Sequence, residues 1–251
     1  MSKMPIYYEC NMKKAEHILV YLAGSVLASV IFYLFYHKVP VSVLFGFLAG
    51  IYLEKQYADS TVRKRQKNLR LQFKDFLSSM SVAVRAGNVE VAAIKSALAD
   101  LKLSYSVKSD IVREVENILL QYERGGVELK VLFQDFAERS DIEDIRSFAT
   151  IYSVIEGKSD RFGDIVTQTE EVIREKVEIE QEIETTITSA KSETTIMLIM
   201  PVVIVVAMSA MGSGFMDSLF NTLSGHICAT VSLIIFAAAY VLAVKSSTID
   251  V

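Results

Sequence analysis

The stretch ETTITSAKSETTIMLIMPVV, residues 184–203, joins two different chemistries without a break. Its first half carries Glu184, Lys191 and Glu193 among threonines, whereas its second half is almost entirely apolar, and no glycine or proline intervenes before Pro201. A flexible linker would be rich in glycine, serine or proline. The stretch therefore predicts one continuous helix that passes from a polar environment into an apolar one.

Four apolar runs predict a membrane protein. They cover residues 18–36, 41–53, 194–216 and 227–244. A spanning helix needs about 20 mostly apolar residues, which the first, third and fourth runs supply. The second run has 13 residues and can be lengthened by residues 37–40. A cleaved signal peptide has an apolar core of about 7–15 residues, so the longer first run favours a helix. We therefore expect four transmembrane helices.

The positions of lysine and arginine predict the orientation. Basic residues precede the first run, follow the second and follow the fourth, whereas the loops 37–40 and 213–226 together hold only Lys38. Basic residues near membrane spans favour the cytoplasmic side. We therefore expect a multi-pass protein of the cell (inner or cytoplasmic) membrane with both termini and the large central region in the cytoplasm. A net charge of −4 gives no indication of nucleic-acid binding.

The central region is predicted to form a helical domain of its own. Residues 54–193 contain no proline, and apolar residues recur there at helical spacing in six segments. Gly87-Asn88 and Gly125-Gly126 mark helix ends. The predicted organisation is a tail and two transmembrane helices in 1–53, a cytoplasmic six-helix bundle in 54–193, and two transmembrane helices with a short cytoplasmic tail in 194–251. The expected fold class is therefore all-α and polytopic.

The sixth helix of this domain is predicted to continue into the third apolar run. Its apolar stripe continues as far as Ile187 and Ala190. A helix from residue 164 to 200 would be about 55 Å long at 1.5 Å per residue. Such a helix would couple the domain stiffly to the membrane.

The residues needed for common catalytic chemistry are missing from the central region. The three histidines, His17, His37 and His226, lie at the edges of apolar runs, and residues 54–193 hold neither histidine nor cysteine. This excludes a histidine phosphoacceptor, most zinc sites, and Ser-His or Cys-His catalysis from that region. We expect no enzyme activity, no cofactor and no metal.

Two short motifs in the sequence allow alternative interpretations. Gly157-Lys158-Ser159 is similar to the end of a phosphate-binding loop, but Tyr152 occupies the position of the first glycine that the motif requires, so an interhelical turn is favoured. The stretch GFLAG contains Gly46 and Gly50 at the G-x-x-x-G spacing that permits close helix packing, either within one chain or between subunits. Pro201 is expected to share in transmembrane packing.

Two segments carry a resemblance to a known family. The stretch LRLQFKDFLSSMSVAVRAGNVEVAAIKSAL (69–98) resembles the first helical hairpin of the type II secretion system F domain. Residues 123–201 resemble the remainder, with a glycine-led helix, a helix that ends in Glu-Gly, and a long helix with Ile-Arg-x-Lys that meets an apolar run at a proline. The layout of two spans, one domain and two spans is similar to the single-domain membrane platform protein of Tad (Flp) pilus assembly systems. The usual Glu-x-x-Gly-x-Leu pattern is loosened here to EGKSDRFGDI.

The resemblance implies a membrane platform, the assembly core of a Tad or type IV-like pilus or of a type II secretion machine. Such a protein couples a cytoplasmic ATPase to the extraction and assembly of pilin. The implied partners are that ATPase, a second F-domain platform protein or another copy of this chain, pilin subunits and the lipid bilayer. The candidate partner contacts are Arg85, Gly87, Asn88, Gly125, Gly126, Glu156 and Arg161. The alternative functions are a membrane transporter subunit and a membrane-tethered signalling scaffold.

Overall fold

The computed structural model describes residues 5–8, 14–36, 39–155, 159–210 and 222–247, and these ranges contain eight α-helices. The helices are α1 (Lys14–Tyr36), α2 (Val39–Arg85), α3 (Glu90–Ser104), α4 (Asp110–Gly125), α5 (Leu129–Ser140), α6 (Glu143–Ile155), α7 (Ser159–Ala210) and α8 (Leu223–Ser247). No strand occurs in the described ranges, and the predicted all-α character is confirmed.

The prediction of four transmembrane helices is wrong. Within the part of the chain that the structure describes, no helix is both long enough and apolar enough to cross a membrane. Where the structure describes the apolar runs, they do form helices, but the length of an apolar run does not determine how much of its helix is apolar. In α2, for example, the apolar residues give way to Glu54 and Lys55 inside the same helix.

Contacts divide the chain into two compact units. Unit 1 consists of residues 1–11 and 59–179, and unit 2 consists of residues 12–58 and 180–251. Since the division falls inside α2 and inside α7, each of these two helices supplies residues to both units.

Unit 1 is organised around an aromatic core. Phe73 on α2, Phe133 on α5, and Phe148 and Tyr152 on α6 are all buried. The ring centroids of Phe73 and Phe148 lie 5.6 Å apart, those of Phe133 and Phe148 5.3 Å apart, and those of Phe133 and Tyr152 5.0 Å apart, all in edge-on geometry. Edge-to-face pairs contribute about 0.5–1.5 kcal/mol beyond the area they bury. The apolar stripes predicted for these helices are confirmed at all four positions.

The C-terminus of α2 is closed by the predicted glycine turn. Gly87 has a φ of +90°, a left-handed conformation that glycine adopts without steric cost. The Gly87 N–H donates to the Val84 carbonyl at 2.9 Å, and the Asn88 N–H donates to the Ala83 carbonyl at 3.1 Å. These bonds satisfy carbonyls that the helix end leaves open, which confirms that α2 ends here.

The long seventh helix confirms the predicted continuity across residues 184–203. It runs for 52 residues with Pro201 inside it. It begins at Ser159 and not at residue 164 as expected, so Arg161 and Gly163 belong to the helix. Gly163 permits a close approach to α2, since a Cβ at this position would lie 2.8 Å from Val84 Cγ1.

In unit 2, α1 and α2 pack closely where glycines remove side chains. A Cβ on Gly46 would collide with Ser29 Oγ and would lie 2.8 Å from the Ser25 carbonyl oxygen. A Cβ on Gly50 would lie 3.1 Å from both Ser25 Cβ and Tyr21 Cε2. The G-x-x-x-G motif therefore serves packing within one chain.

The helices of unit 2 leave many apolar side chains uncovered. On α1, Leu19 is 67% exposed and Val26 is 61% exposed, and on α2, Leu44 is 62% exposed. Met197 on α7 and Ile235 on α8 are exposed to a similar extent. Contiguous exposed apolar surface in proteins marks a site of interaction.

Candidate functional site

Arg85, a predicted partner contact, lies at the mouth of a cavity of unit 1. The cavity has a volume of about 550 Å³ and lies between the end of α2 and the first turns of α7. Its lining residues are Val84, Arg85, Gly163, Asp164, Thr167, Gln168 and Glu171. Arg85 is exposed and faces a lining with two carboxylates, so the cavity offers charges of both signs to a partner.

The walls of this cavity are fixed by contacts between α2 and α7. Gly163 lets Val84 approach the α7 backbone, and Ser81 Oγ shares a hydrogen bond of 3.2 Å with Thr167 Oγ1. Ser81 is buried, so this bond satisfies a polar group that would otherwise be costly to bury. The two helices therefore hold the cavity in a defined shape.

The remaining predicted contacts do not all belong to this cavity. Gly87 and Asn88 follow Arg85 directly in the turn after α2. Gly125 ends α4, and Gly126 caps it with a φ of +61°, so that both lie in the α4–α5 turn and neither lines the cavity. Glu156 lies outside the described residues, as do Gly157 and Lys158 of the phosphate-loop-like motif. Arg161 belongs to the first turn of α7, and its side chain lies outside the description.

A buried carboxylate is the main polar feature of unit 1 that the sequence did not predict. The Glu114 side chain is fully buried on α4. Arg139 on α5 donates to both of its oxygens, from Nη1 to Oε1 at 2.6 Å and from Nη2 to Oε2 at 2.8 Å. The Tyr7 hydroxyl donates to Glu114 Oε1 at 2.7 Å. Burial raises the pKa of Tyr7, and the neighbouring Glu114 charge raises it further.

A second polar cluster joins three helices of unit 1. Asp144 on α6 is buried and forms an ion pair with Arg70 on α2. Its other oxygen accepts a hydrogen bond of 3.1 Å from Lys176 Nζ on α7. Buried charges of this kind are maintained only where partners compensate them. The cluster therefore fixes α6 and α7 against α2.

Part of the basic run at residues 63–67 forms hydrogen bonds and an ion pair inside unit 1. Arg65 donates to both carboxylate oxygens of Asp110, each at 2.9 Å, and Gln66 Nε2 donates to the Ser140 carbonyl at 3.1 Å. Lys64 lines a smaller cavity of about 330 Å³ at the start of α4. Arg65 and Gln66 are thus engaged inside unit 1.

The sequence does contain a signal for the buried carboxylate, although a weak one. Glu114 stands three residues after Ile111 and four before Ile118, and therefore on the apolar stripe of α4. A charge on an apolar stripe indicates a buried pair, because an unpaired buried charge is too costly. Nothing in the sequence indicated that the partners would be Arg139 and Tyr7.

Among the described residues, no group of three or more histidine, cysteine, aspartate or glutamate side chains is placed to hold a metal ion. No protein-family model matches the sequence, and no curated protein or solved structure is significantly similar to it. The candidate site is therefore defined by its geometry alone, as the cavity between the end of α2 and the first turns of α7.

Proposed function

We propose that this chain is a platform subunit of a pilus or secretion machine. A partner ATPase docks on unit 1, and α7 carries the resulting movement to unit 2, where pilin-type subunits are engaged. The proposal combines the resemblance to the type II secretion F domain with one structural observation. That observation is α7, a continuous helix whose residues 159–179 belong to unit 1 and whose residues 180–210 belong to unit 2.

A continuous helix suits the transmission of movement. Backbone hydrogen bonds between residues four apart hold every turn, so a displacement at one end is passed along the axis. In unit 1 the helix is held by the Asp144–Lys176 bond and by the close approach of Gly163 to Val84. Movement of unit 1 therefore acts on α7 directly.

The exposed apolar side chains of unit 2 support association with the cell membrane. Leu19 and Val26 on α1 and Met197 on α7 lie on two stretches where uncovered apolar residues recur every few positions. Apolar side chains gain about 25 cal/mol for each Å² removed from water, so lipid is a favourable environment for them. In this proposal unit 2 contacts lipid and pilin, and unit 1 lies on the cytoplasmic side. Membrane fractions washed with carbonate should retain the protein, and its complete release would contradict this part.

The cavity at Arg85 is the proposed ATPase contact. Replacing Arg85 with a photo-crosslinking amino acid should capture the ATPase in cells. The matched control places the same amino acid at Leu103, which is 87% exposed at the end of α3 and lies outside the cavity. Equal capture from both positions, or capture from Leu103 alone, would contradict docking at the cavity. The chain itself supplies no catalytic group in this role, so the purified protein should not hydrolyse ATP.

The transmission step has its own test. Insertion of Gly-Gly-Ser-Gly after Ala190 interrupts α7 and should abolish filament assembly, because glycine weakens a helix interior by about 1 kcal/mol per residue relative to alanine. Normal assembly with the insert in place would refute transmission through α7.

A further inference from the structure

The N-terminal segment of unit 1 buries a single tyrosine. Tyr7 is fully buried, whereas its neighbours Ile6 and Tyr8 are 37% and 49% exposed. The Tyr7 N–H donates to the Arg139 carbonyl at 2.9 Å. Pro5 is held more weakly, through its carbonyl oxygen, by Arg139 Nη1 at 3.4 Å. The segment 5–8 is thus held chiefly by one side chain and by the backbone beside it.

The pocket around Tyr7 recognises both parts of its side chain. The Arg65 guanidinium lies over the ring, with 4.6 Å between Cζ and the ring centroid, a cation–π distance. Glu114 Oε1 accepts a hydrogen bond of 2.7 Å from the Tyr7 hydroxyl. Phenylalanine would fill the ring position but would leave the buried carboxylate without that donor. A phosphorylated tyrosine would bring its negative charge against Glu114 and is excluded.

The polar groups of the pocket are held by partners other than Tyr7. Arg65 is held by Asp110, whose two carboxylate oxygens accept hydrogen bonds from Arg65 Nε and Nη2. Arg139 is held by both oxygens of Glu114 and by Asp135, which accepts from Nε at 2.7 Å. Because these partners all lie outside residues 5–8, we expect the pocket to be preorganised to accept a peptide at little ordering cost.

We propose that Arg65, Asp110, Glu114 and Arg139 form a tyrosine-recognising peptide site, which residues 5–8 occupy as a displaceable latch. The ligand class is an extended peptide with an unphosphorylated tyrosine, and the occupant is this chain's own N-terminal segment. The inference rests on contacts inside unit 1 and is independent of the proposed function.

The test supplies the latch as a separate molecule. The full chain without residues 2–8 is purified in detergent, its fold is checked by circular dichroism, and a fluorescent peptide of residues 1–11 is titrated by anisotropy. We expect saturable binding to this variant and much weaker binding to the intact chain, whose own segment fills the site.

Three altered peptides test the chemistry of recognition. A Tyr7→Phe peptide should bind about tenfold to a hundredfold more weakly, the range expected for losing a hydrogen bond to a charged group. A Tyr8→Phe peptide is the matched control and should bind like the original, because Tyr8 is half exposed. A peptide phosphorylated at Tyr7 should not bind. No saturable binding to a folded variant, or equal loss from the Tyr7 and Tyr8 peptides, would overturn the proposal.

A second form of the experiment applies if the shortened chain does not fold. A protease site inserted after Tyr8 is cut once the full chain has folded, and excess labelled peptide is added. The cleaved segment should remain bound at first and then exchange with the labelled peptide, faster when the segment carries Tyr7→Phe. Immediate release on cleavage, or a complete lack of exchange, would refute a displaceable latch.

Discussion

The transmission role of α7 can be tested without changing the length of the helix. Thr185, Thr188 and Ser192 are exposed along the part of α7 that belongs to unit 2. Their hydroxyls donate only to carbonyls of the same helix in the bonds observed, at 2.8 Å to Glu182, 2.6 Å to Glu184 and 3.0 Å to Thr188. We compare a variant with glycine at all three positions with a variant with alanine at all three.

The two variants differ only in the three Cβ atoms at exposed positions, and therefore chiefly in helix stability. Both lose the same hydroxyl groups and keep the same number of residues. Each glycine destabilises a helix interior by about 1 kcal/mol relative to alanine, so the glycine variant is weaker by about 3 kcal/mol across this stretch. Since about 1.4 kcal/mol corresponds to tenfold, local unwinding there becomes roughly a hundredfold more frequent.

The assay is filament yield in a host strain that lacks the native gene. Each variant is expressed at a level matched by immunoblot, and surface filaments are counted by electron microscopy. Amide hydrogen exchange over residues 182–196 confirms that the glycine variant unwinds more often. The alanine variant should assemble filaments normally, and the glycine variant should assemble few or none.

Two results would refute the reasoning. If both variants assemble normally while exchange shows increased unwinding in the glycine variant, α7 does not need to be stiff. If both variants fail, the hydroxyl groups matter and the stability of the helix does not explain the loss. Only a difference between glycine and alanine supports transmission along the helix.

Three further predictions concern stability. Arg139→Met should lower the free energy of unfolding of unit 1, measured by chemical denaturation, by about 3–5 kcal/mol, because it leaves the charge of buried Glu114 uncompensated. The control is Arg146→Met, which removes an exposed pair with Asp141 and should change the free energy of unfolding by less than about 1 kcal/mol. Burial, and then the hydrogen bond and charge of Asp75, raise the pKa of Tyr105 from 10.0 to about 12. The contribution of Tyr105 to the stability of the fold is therefore complete below pH 10 and is lost as the pH rises to about 12. The thermal unfolding temperature of Tyr105→Phe should depend less on pH over this interval than that of the original protein, and an unchanged pH profile would contradict the assignment. Gly46→Ala should destabilise the packing of α1 on α2 by about 1–3 kcal/mol in a thermal unfolding assay, because the new Cβ would meet the Ser25 backbone. Gly125→Ala should be tolerated better in the same assay, because its Cβ would lie 3.5 Å from Val127 Cγ2, an ordinary contact.

The helices of unit 1 were predictable because their signals are local. The spacing of Phe73, Phe76 and Met80 indicates one buried face of α2, and glycine at position 87 meets the backbone requirement of the turn that follows. Both signals lie within a few residues of the feature they determine. The same holds for the continuity of α7, since no residue between 164 and 200 interrupts a helix.

The prediction of four transmembrane helices failed because hydropathy is local, whereas crossing a membrane depends on the length and uniformity of a whole helix. The run at 41–53 predicted a helix correctly, but α2 continues from it into charged residues as far as Arg85. The role of the G-x-x-x-G motif was also undetermined, because the spacing of Gly46 and Gly50 allows close approach without specifying the neighbour. Only the structure shows that the neighbour is α1, through Ser25 and Ser29.

The latch was beyond prediction because its contacts are distant in the sequence, with Tyr7 and Glu114 107 positions apart. The arrangement also has an energetic logic. Replacing a buried ion pair by apolar residues is often neutral or stabilising, so the Glu114–Arg139 pair is a poor device for stability alone. A carboxylate held inside unit 1 does, however, distinguish tyrosine from every apolar side chain of similar size. The buried carboxylate is thus the group that gives the site its selectivity, and Glu114→Gln should reduce the difference in affinity between the original and the Tyr7→Phe peptides, measured by anisotropy.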